Sequence, residues 1–295
     1  MTMTNDKARL LRLATYASVA TATLLILVKL GAWLVTGSVS VLASLVDSLM
    51  DVGASLVNLL AVRWSLQPAD EDHRFGHGKA ESLAGLAQAA FIAGSAVFLA
   101  LEAVDRLIHP QPLAQLGVGV GVMLFAIGAT LILLAFQRRV IRETDSTAIR
   151  ADALHYATDL ATNSATLIAL AGAFFGFPGL DPIFALGIAV FILYSAVQIA
   201  REAVDLLMDR ELSPEDREKI QTVAAAVAGV LGVHGVRTRR SGHTPVMQMH
   251  LELDDNLPLL EAHAICDRVE AALRSEFPGA DITIHQDPRS LGPEG

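Results

Sequence analysis

The chain has 295 residues, 53% of them hydrophobic and only 18% charged, against about 25% charged in an ordinary soluble domain. Its net charge of -9 at pH 7 argues against nucleic acid, whose partners need a basic face. The single cysteine, Cys266, excludes an internal disulfide framework and any multi-cysteine zinc cluster.

The polar start MTMTNDKARLLRLA runs straight into an apolar segment. No separate short apolar core and small-residue cleavage site is evident, so no cleavable signal peptide is expected. A bilayer span needs about 20 mostly apolar residues. The pattern predicts helices near 12–35, 39–65, 80–107, 114–138, 148–173 and 181–206, an all-α six-helix membrane bundle over 1–208. The third and sixth helices extend past the bilayer. TGS at 36–38, HPQP at 109–112 and GFPG at 176–179 read as short turns. Six spans put both termini on one side. Lys7, Arg9 and Arg12 precede the first span, Arg63, Arg74 and Lys79 flank the second loop, and Arg138, Arg139, Arg142 and Arg150 flank the fourth. The other loops carry almost no basic residues, Arg106 being the nearest. The positive-inside rule then makes both termini cytoplasmic.

Residues 209–295 read as an ordinary acidic soluble domain. Ser213 followed by Pro214, Glu215 and Asp216 marks a helix start, with the helix running to about Ala228. GVHGVRTRR and VMQMHLELD read as strands, 258–276 as a helix and ADITIHQD as a last strand. The order α-β-β-α-β predicts a small α+β domain of the ferredoxin or metallochaperone type, with helices on one face of an antiparallel sheet.

Asp47 and Asp51 stand four apart in LVDSLMDVGAS, and His155 and Asp159 stand four apart in ADALHYATDLATNS. That spacing puts each pair on one helix face. A charge at mid-bilayer costs about 2.5–3.5 kcal/mol, so three unpaired carboxylates would cost on the order of 8–10 kcal/mol, comparable with the stability of a whole domain. Lys29 offsets at most one of them. A divalent metal held by three carboxylates and one imidazole offsets all three, and four such ligands suit zinc. Ser44, Ser55 and Asn58 on the second helix, and Asp152, Asn163 and Thr166 on the fifth, extend the polar faces as the wall of a hydrated path would. The competing account is interhelical hydrogen bonding without a ligand.

Two further clusters stand outside the spans. QPADEDHRFGHGKAE holds Asp70, His73 and His77 with Asp72 beside them, and Gly76 and Gly78 favour a loop over a helix. A solvated acidic loop is the plain alternative. The tail holds His234, His250, His263, His285 and Asp287, each histidine on a different predicted element. His285 and Asp287 alternate onto one strand face. His109 and His243 read as surface residues.

These motifs resemble the cation diffusion facilitator family, in its bacterial YiiP-type branch of ferrous-iron and zinc efflux proteins, over nearly the whole chain. DSLMD and HYATD match the family's D-x-x-x-D and H-x-x-x-D; DEDHRFGHGKAE and ITIHQDP match its loop and tail. The resemblance implies a transport site at Asp47, Asp51, His155 and Asp159, and a loop site at Asp70, His73 and His77. It also implies a two-metal tail site of His234, His250, His263, His285 and Asp287, with Asp287 bridging. It further implies a homodimer, held near the membrane surface by Lys79 and Asp209, and proton-coupled export. The long His-rich insert of eukaryotic zinc members between the fourth and fifth helices is absent, which fits a bacterial chain.

The expected function is therefore a non-enzymatic antiporter in the bacterial inner membrane. It exports Zn²⁺, or Cd²⁺, Fe²⁺, Co²⁺ or Mn²⁺, against protons, with further metal bound in the tail. A metal-sensing membrane scaffold and an intramembrane metalloenzyme are the alternatives. The latter lacks an H-E-x-x-H motif, and flux in sealed proteoliposomes separates all three.

Overall fold

The structure, a computed structural model, describes residues 5–36, 39–108, 118–174 and 180–291. HPQP, GFPG, most of TGS, the first residues of the expected 114–138 helix and His109 lie outside the described residues, as do the side chains of Asp47, Arg106 and Thr166.

Six long helices come first: α1 (Asn5–Thr36), α2 (Val39–Ser65), α3 (Lys79–Ile108), α4 (Val118–Thr144), α5 (Thr147–Phe174) and α6 (Leu180–Leu207). The shortest has 27 residues, about 40 Å at 1.5 Å per residue, more than a hydrocarbon core of about 30 Å. Among the described residues, four of them, α1, α3, α4 and α6, are long and apolar enough to cross a membrane. Leu34, Phe98 and Ile132 are 70%, 71% and 76% exposed, a cost in water that lipid removes.

Inside this helical unit, small residues let helices approach. Ala89, Ala96 and Ala103 on α3 and Ala189, Ala196 and Ala203 on α6 are all buried. Both sets repeat every seven residues, the spacing of a helix seam. Ile92 and Ala96 share a buried cluster with Ile192 and Ala196. Leu133 and Leu134 of α4 pack with Ala153 and Tyr156 of α5. The turn from α4 to α5 is two residues long, with Asp145 at φ 53° and Ser146 accepting the amide of Ile149 at 3.2 Å.

The tail belongs to a second compact unit, which also takes in residues 67–79. It comprises α7 (Pro214–Ala225), β1 (Gly232–Ser241), β2 (Thr244–Leu253), α8 (Leu259–Glu276) and β3 (Asp281–Pro288). Ser213 caps α7 by accepting the Asp216 amide at 3.1 Å, as its Ser-Pro-Glu-Asp start predicts. The helix stops at Ala225, three residues before the expected Ala228. β1 and β2 form an antiparallel hairpin, but β3 runs parallel to β2, in the order β1-β2-β3. The expectation of an all-antiparallel sheet is thus corrected. α8 carries the chain back to the start of the sheet, and a helical crossover delivers a parallel strand. Met247, Met249, Leu251 and Leu253 alternate into a core with Ile220 of α7 and Ile265, Val269 and Leu273 of α8. The residues between them, Gln248, His250 and Glu252, occupy the face without helices.

Candidate metal centres

In the helical unit, Asp51 of α2 meets His155 and Asp159 of α5. His155 Nε2 lies 3.1 Å from Asp51 Oδ1 and 4.0 Å from Asp159 Oδ2. One donor atom from each residue falls within 4.8 Å of the others. Asp51 and His155 are buried, and Asp159 is partly open. At 3.6 residues per turn the four-residue spacing brings His155 and Asp159 to one face, and the adjacent α2 supplies Asp51 about one turn beyond Asp47.

Polar bonds tie this face to its neighbours. The Tyr156 hydroxyl donates to the Ser18 carbonyl and accepts from Ser55, each at 3.0 Å, linking α1, α2 and α5. Asp152, fully buried, accepts from Ser18 Oγ at 2.5 Å, Gln137 Nε2 at 2.7 Å and Gln88 Nε2 at 3.3 Å. Its carboxylate thereby joins α1, α3, α4 and α5 through neutral donors. Asp152 is a buried anchor of the helical unit. Lys29 donates to Ser48 Oγ at 2.6 Å and to the Ser44 carbonyl at 3.1 Å. Asn58 is 1% exposed, and among the described residues neither its oxygen nor its nitrogen completes a hydrogen bond.

The segment 67–78 folds as a loop, as its glycines require. Gly76 takes φ 77°, a conformation a side chain resists. Asp70 Oδ1 accepts the amides of His73 at 2.6 Å and Asp72 at 3.0 Å. His77 Nε2 lies 3.2 Å from Asp70 Oδ2, His73 Nδ1 lies 3.4 Å from Asp70 Oδ1, and the two rings are 4.5 Å apart. The His73 amide holds the Asp70 carboxyl below its ordinary value, and His77 adds to this. Gly78 then lies against the tip of the β1–β2 hairpin. A Cβ on it would sit 2.8 Å from both Gly242 Cα and Ser241 O. Beside it Lys79 Nζ binds Asp209 at 2.9 Å and the Leu207 carbonyl at 3.2 Å. Arg239 adds a 3.4 Å contact to Asp209 and covers the Phe75 ring, a partner the sequence reading omitted.

On the open face of the tail sheet the strands align two rungs. His234, His250 and His285 face one another across β1, β2 and β3; Gly232, Glu252 and Asp287 form the other rung. Asp287 Oδ2 lies 3.3 Å from His234 Nε2 and 2.8 Å from His250 Nδ1, while Oδ1 lies 3.1 Å from His285 Nε2. One carboxylate thus faces imidazoles through both oxygens. His263 is elsewhere: on α8 its neighbour Ala262 turns into the core, leaving His263 exposed and 3.7 Å from Asp267. Glu252, unremarked in the sequence, stands 3.2 Å from His234 Nδ1. Only the strand register reveals it.

Comparison with known proteins agrees with this architecture. Residues 15–208 match the family model "Cation efflux transmembrane domain", and 212–289 match "Cation efflux protein, cytoplasmic domain". A cation-efflux pump FieF from Klebsiella pneumoniae subsp. pneumoniae is 54% identical over 291 residues, covering 99% of this chain and 97% of that protein. The FieF of Escherichia coli is 53% identical with the same coverage. A solved structure of the zinc-transporter candidate CzrB in its Zn form is 36% identical, covers 30% of this chain and all of that one, and gives a TM-score of 0.27. The family match over the helical unit, together with the four apolar helices, makes this an integral membrane protein. The chain belongs to the cation efflux, or cation diffusion facilitator, family of transporters.

Proposed function

We propose that the protein is a proton-coupled antiporter that exports a divalent cation, Zn²⁺ foremost, from the cytoplasm across the bacterial inner membrane. Asp47, Asp51, His155 and Asp159 form the transport site of six membrane spans. The observation that carries this reading is the meeting of Asp51, His155 and Asp159 among apolar helices. Carboxylates and an imidazole so placed need a cation, and mixed oxygen and nitrogen donors suit zinc while admitting Cd²⁺, Fe²⁺, Co²⁺ and Mn²⁺. The unpartnered amide of Asn58 is consistent with water along the same helix face.

Ligands must be deprotonated to bind metal, so loading the site releases protons and unloading takes them up. An imidazole titrates near neutral pH in water, which makes His155 the leading proton carrier. An inward proton gradient then drives export. Residues 1–208 would form the transport domain and 209–295 a cytoplasmic domain that binds metal and joins two copies, with both termini cytoplasmic. Asp70, His73 and His77 would hold a loop ion. His234, His250 and His285 would share two tail ions through Asp287, whose two oxygens face different imidazoles. His263 stands outside that set within one chain.

The test is zinc flux into proteoliposomes loaded with a pH dye. Zinc entry should produce proton exit, and Asp51→Ala or Asp159→Ala should abolish both. Zinc movement without a dye response sinks antiport, and retained flux in both variants sinks the site.

A further inference from the structure

The second rung of the tail sheet holds an acid that the histidine and aspartate motifs do not include. Glu252 is opposite Gly232 on β1 and beside Asp287 on β3, one rung from the three histidines. Its Oε1 lies 3.2 Å from His234 Nδ1, while the other ring nitrogen, Nε2, lies 3.3 Å from Asp287 Oδ2. The imidazole therefore stands between two carboxylates, one on each nitrogen.

Two further observations bear on Glu252. Nδ1 of His234 is buried and completes no hydrogen bond among the described residues. Glu252 Oε1 is within reach at 3.2 Å, so a reorientation of the ring or of the carboxylate closes the bond. Gly232 gives the carboxylate its room: a Cβ there would sit 2.7 Å from both Glu252 Cδ and Oε2. Any larger residue at 232 displaces the acid from under the histidine.

A histidine that binds metal through one nitrogen usually donates the other N–H to a carboxylate or carbonyl, which fixes its tautomer and ring direction. We propose that Glu252 is a positioning residue of the tail centre, accepting Nδ1–H of His234 so that the Nε2 lone pair faces the ion shared with Asp287. This rests on the tail centre proposed above. Glu252 itself touches no ion. It acts through His234.

The test uses the full-length protein in detergent, with Asp51→Ala and Asp70→Ala removing the other two centres. Zinc titration gives the tail affinity, and ¹⁵N shifts of labelled histidine give the His234 tautomer. Glu252→Ala should weaken zinc by about 10–100-fold and release His234 from the Nδ1–H tautomer. Glu252→Gln, which keeps an oxygen acceptor, should restore both. Gly232→Ala, which displaces rather than deletes the acid, should behave like Glu252→Ala and serves if that variant fails to fold. Unchanged affinity in both Glu252→Ala and Gly232→Ala overturns the inference and leaves the centre standing. So does weaker binding with the tautomer unmoved. Zinc binding that survives His285→Ala and Asp287→Ala removes the centre itself, and the role of Glu252 with it.

Discussion

Replacing Gly78 by alanine should loosen the β1–β2 hairpin from the loop that carries Asp70, His73 and His77. The new Cβ would lie 2.8 Å from Gly242 Cα and Ser241 O and 2.9 Å from Gly242 N. All three are backbone atoms, so no side-chain rotation relieves the overlap. Gly78 is not among the positive-φ glycines, so the cost is steric alone, about 1–3 kcal/mol for an added methyl in a packed contact. Gly76→Ala is the control. It has φ 77°, but the nearest atom to its added Cβ would be Ala69 N at 3.9 Å, leaving only a left-handed backbone cost of about 1 kcal/mol. Gly242→Ala combines φ 59° with a 2.6 Å approach to Gly78 Cα, for about 2–4 kcal/mol in sum. Hydrogen exchange reads local opening directly. Gly78→Ala should speed the hairpin amides by about 5–150-fold, a tenfold change for each 1.4 kcal/mol. Gly242→Ala should speed them more, and Gly76→Ala least. Equal hairpin exchange in the Gly78 and Gly76 variants would refute the idea that the backbone contact holds the hairpin.

Four other outcomes are expected. His155→Asp removes the only nitrogen donor in the membrane trio, so competition uptake should shift from Zn²⁺ toward Mn²⁺ or Cd²⁺; unchanged ratios would mean that His155 is not a ligand. Zinc at about 100 times its Kd should stabilise the tail by about 2.7 kcal/mol, seen as a higher melting transition, and His285→Ala or Asp287→Ala should remove most of that shift. Asp152→Ala strands the donors of Ser18, Gln88 and Gln137, so it should cost on the order of 3 kcal/mol and lower the melting temperature more than Asp159→Ala does. Lys79 hydrogen-bonds Asp209 and holds its carboxyl below the ordinary value of 3.8. Its stabilisation is therefore present above the unfolded value and lost as acid titrates the folded group. Lys79→Met should raise the Asp209 titration seen by carboxyl ¹³C NMR and close the stability gap at low pH; an unmoved titration argues against the pair.

Local features were legible because they depend on neighbours in the chain. Turn residues and the Ser213 cap placed the end of α1 and the start of α7 to within a residue, whereas α1 starts seven residues before, and α4 ends six residues after, the expected bounds; four-residue spacing paired His155 with Asp159. The loop reading of 67–78 followed from Gly76 and Gly78. What escaped depends on partners far away. Asp152 looks like any polar residue on α5 until Ser18, Gln88 and Gln137 arrive from three other helices. Glu252 alternates with core residues like any outward strand residue, and only pairing with Gly232 and Asp287 brings it beside the histidines. The direction of β3 was misjudged because alternation is the same in parallel and antiparallel strands; the connecting α8 decides it. His263 joins the tail set through the family resemblance, whereas within one chain the burial of Ala262 and Ile265 leaves it exposed on α8.

The rung order of the tail sheet has a kinetic consequence. Both flanking strands are edges: β1 carries His234, β3 carries His285 and Asp287, and central β2 carries His250. An ion held there, as proposed above, would tie together three strands of which two are edges. Asp287 is next to the last residue of β3, where fraying begins. Ion escape would then be paced by the breathing of that strand end more than by ligand exchange, and shortening or stiffening residues 288–291 would tune residence time without altering a single donor.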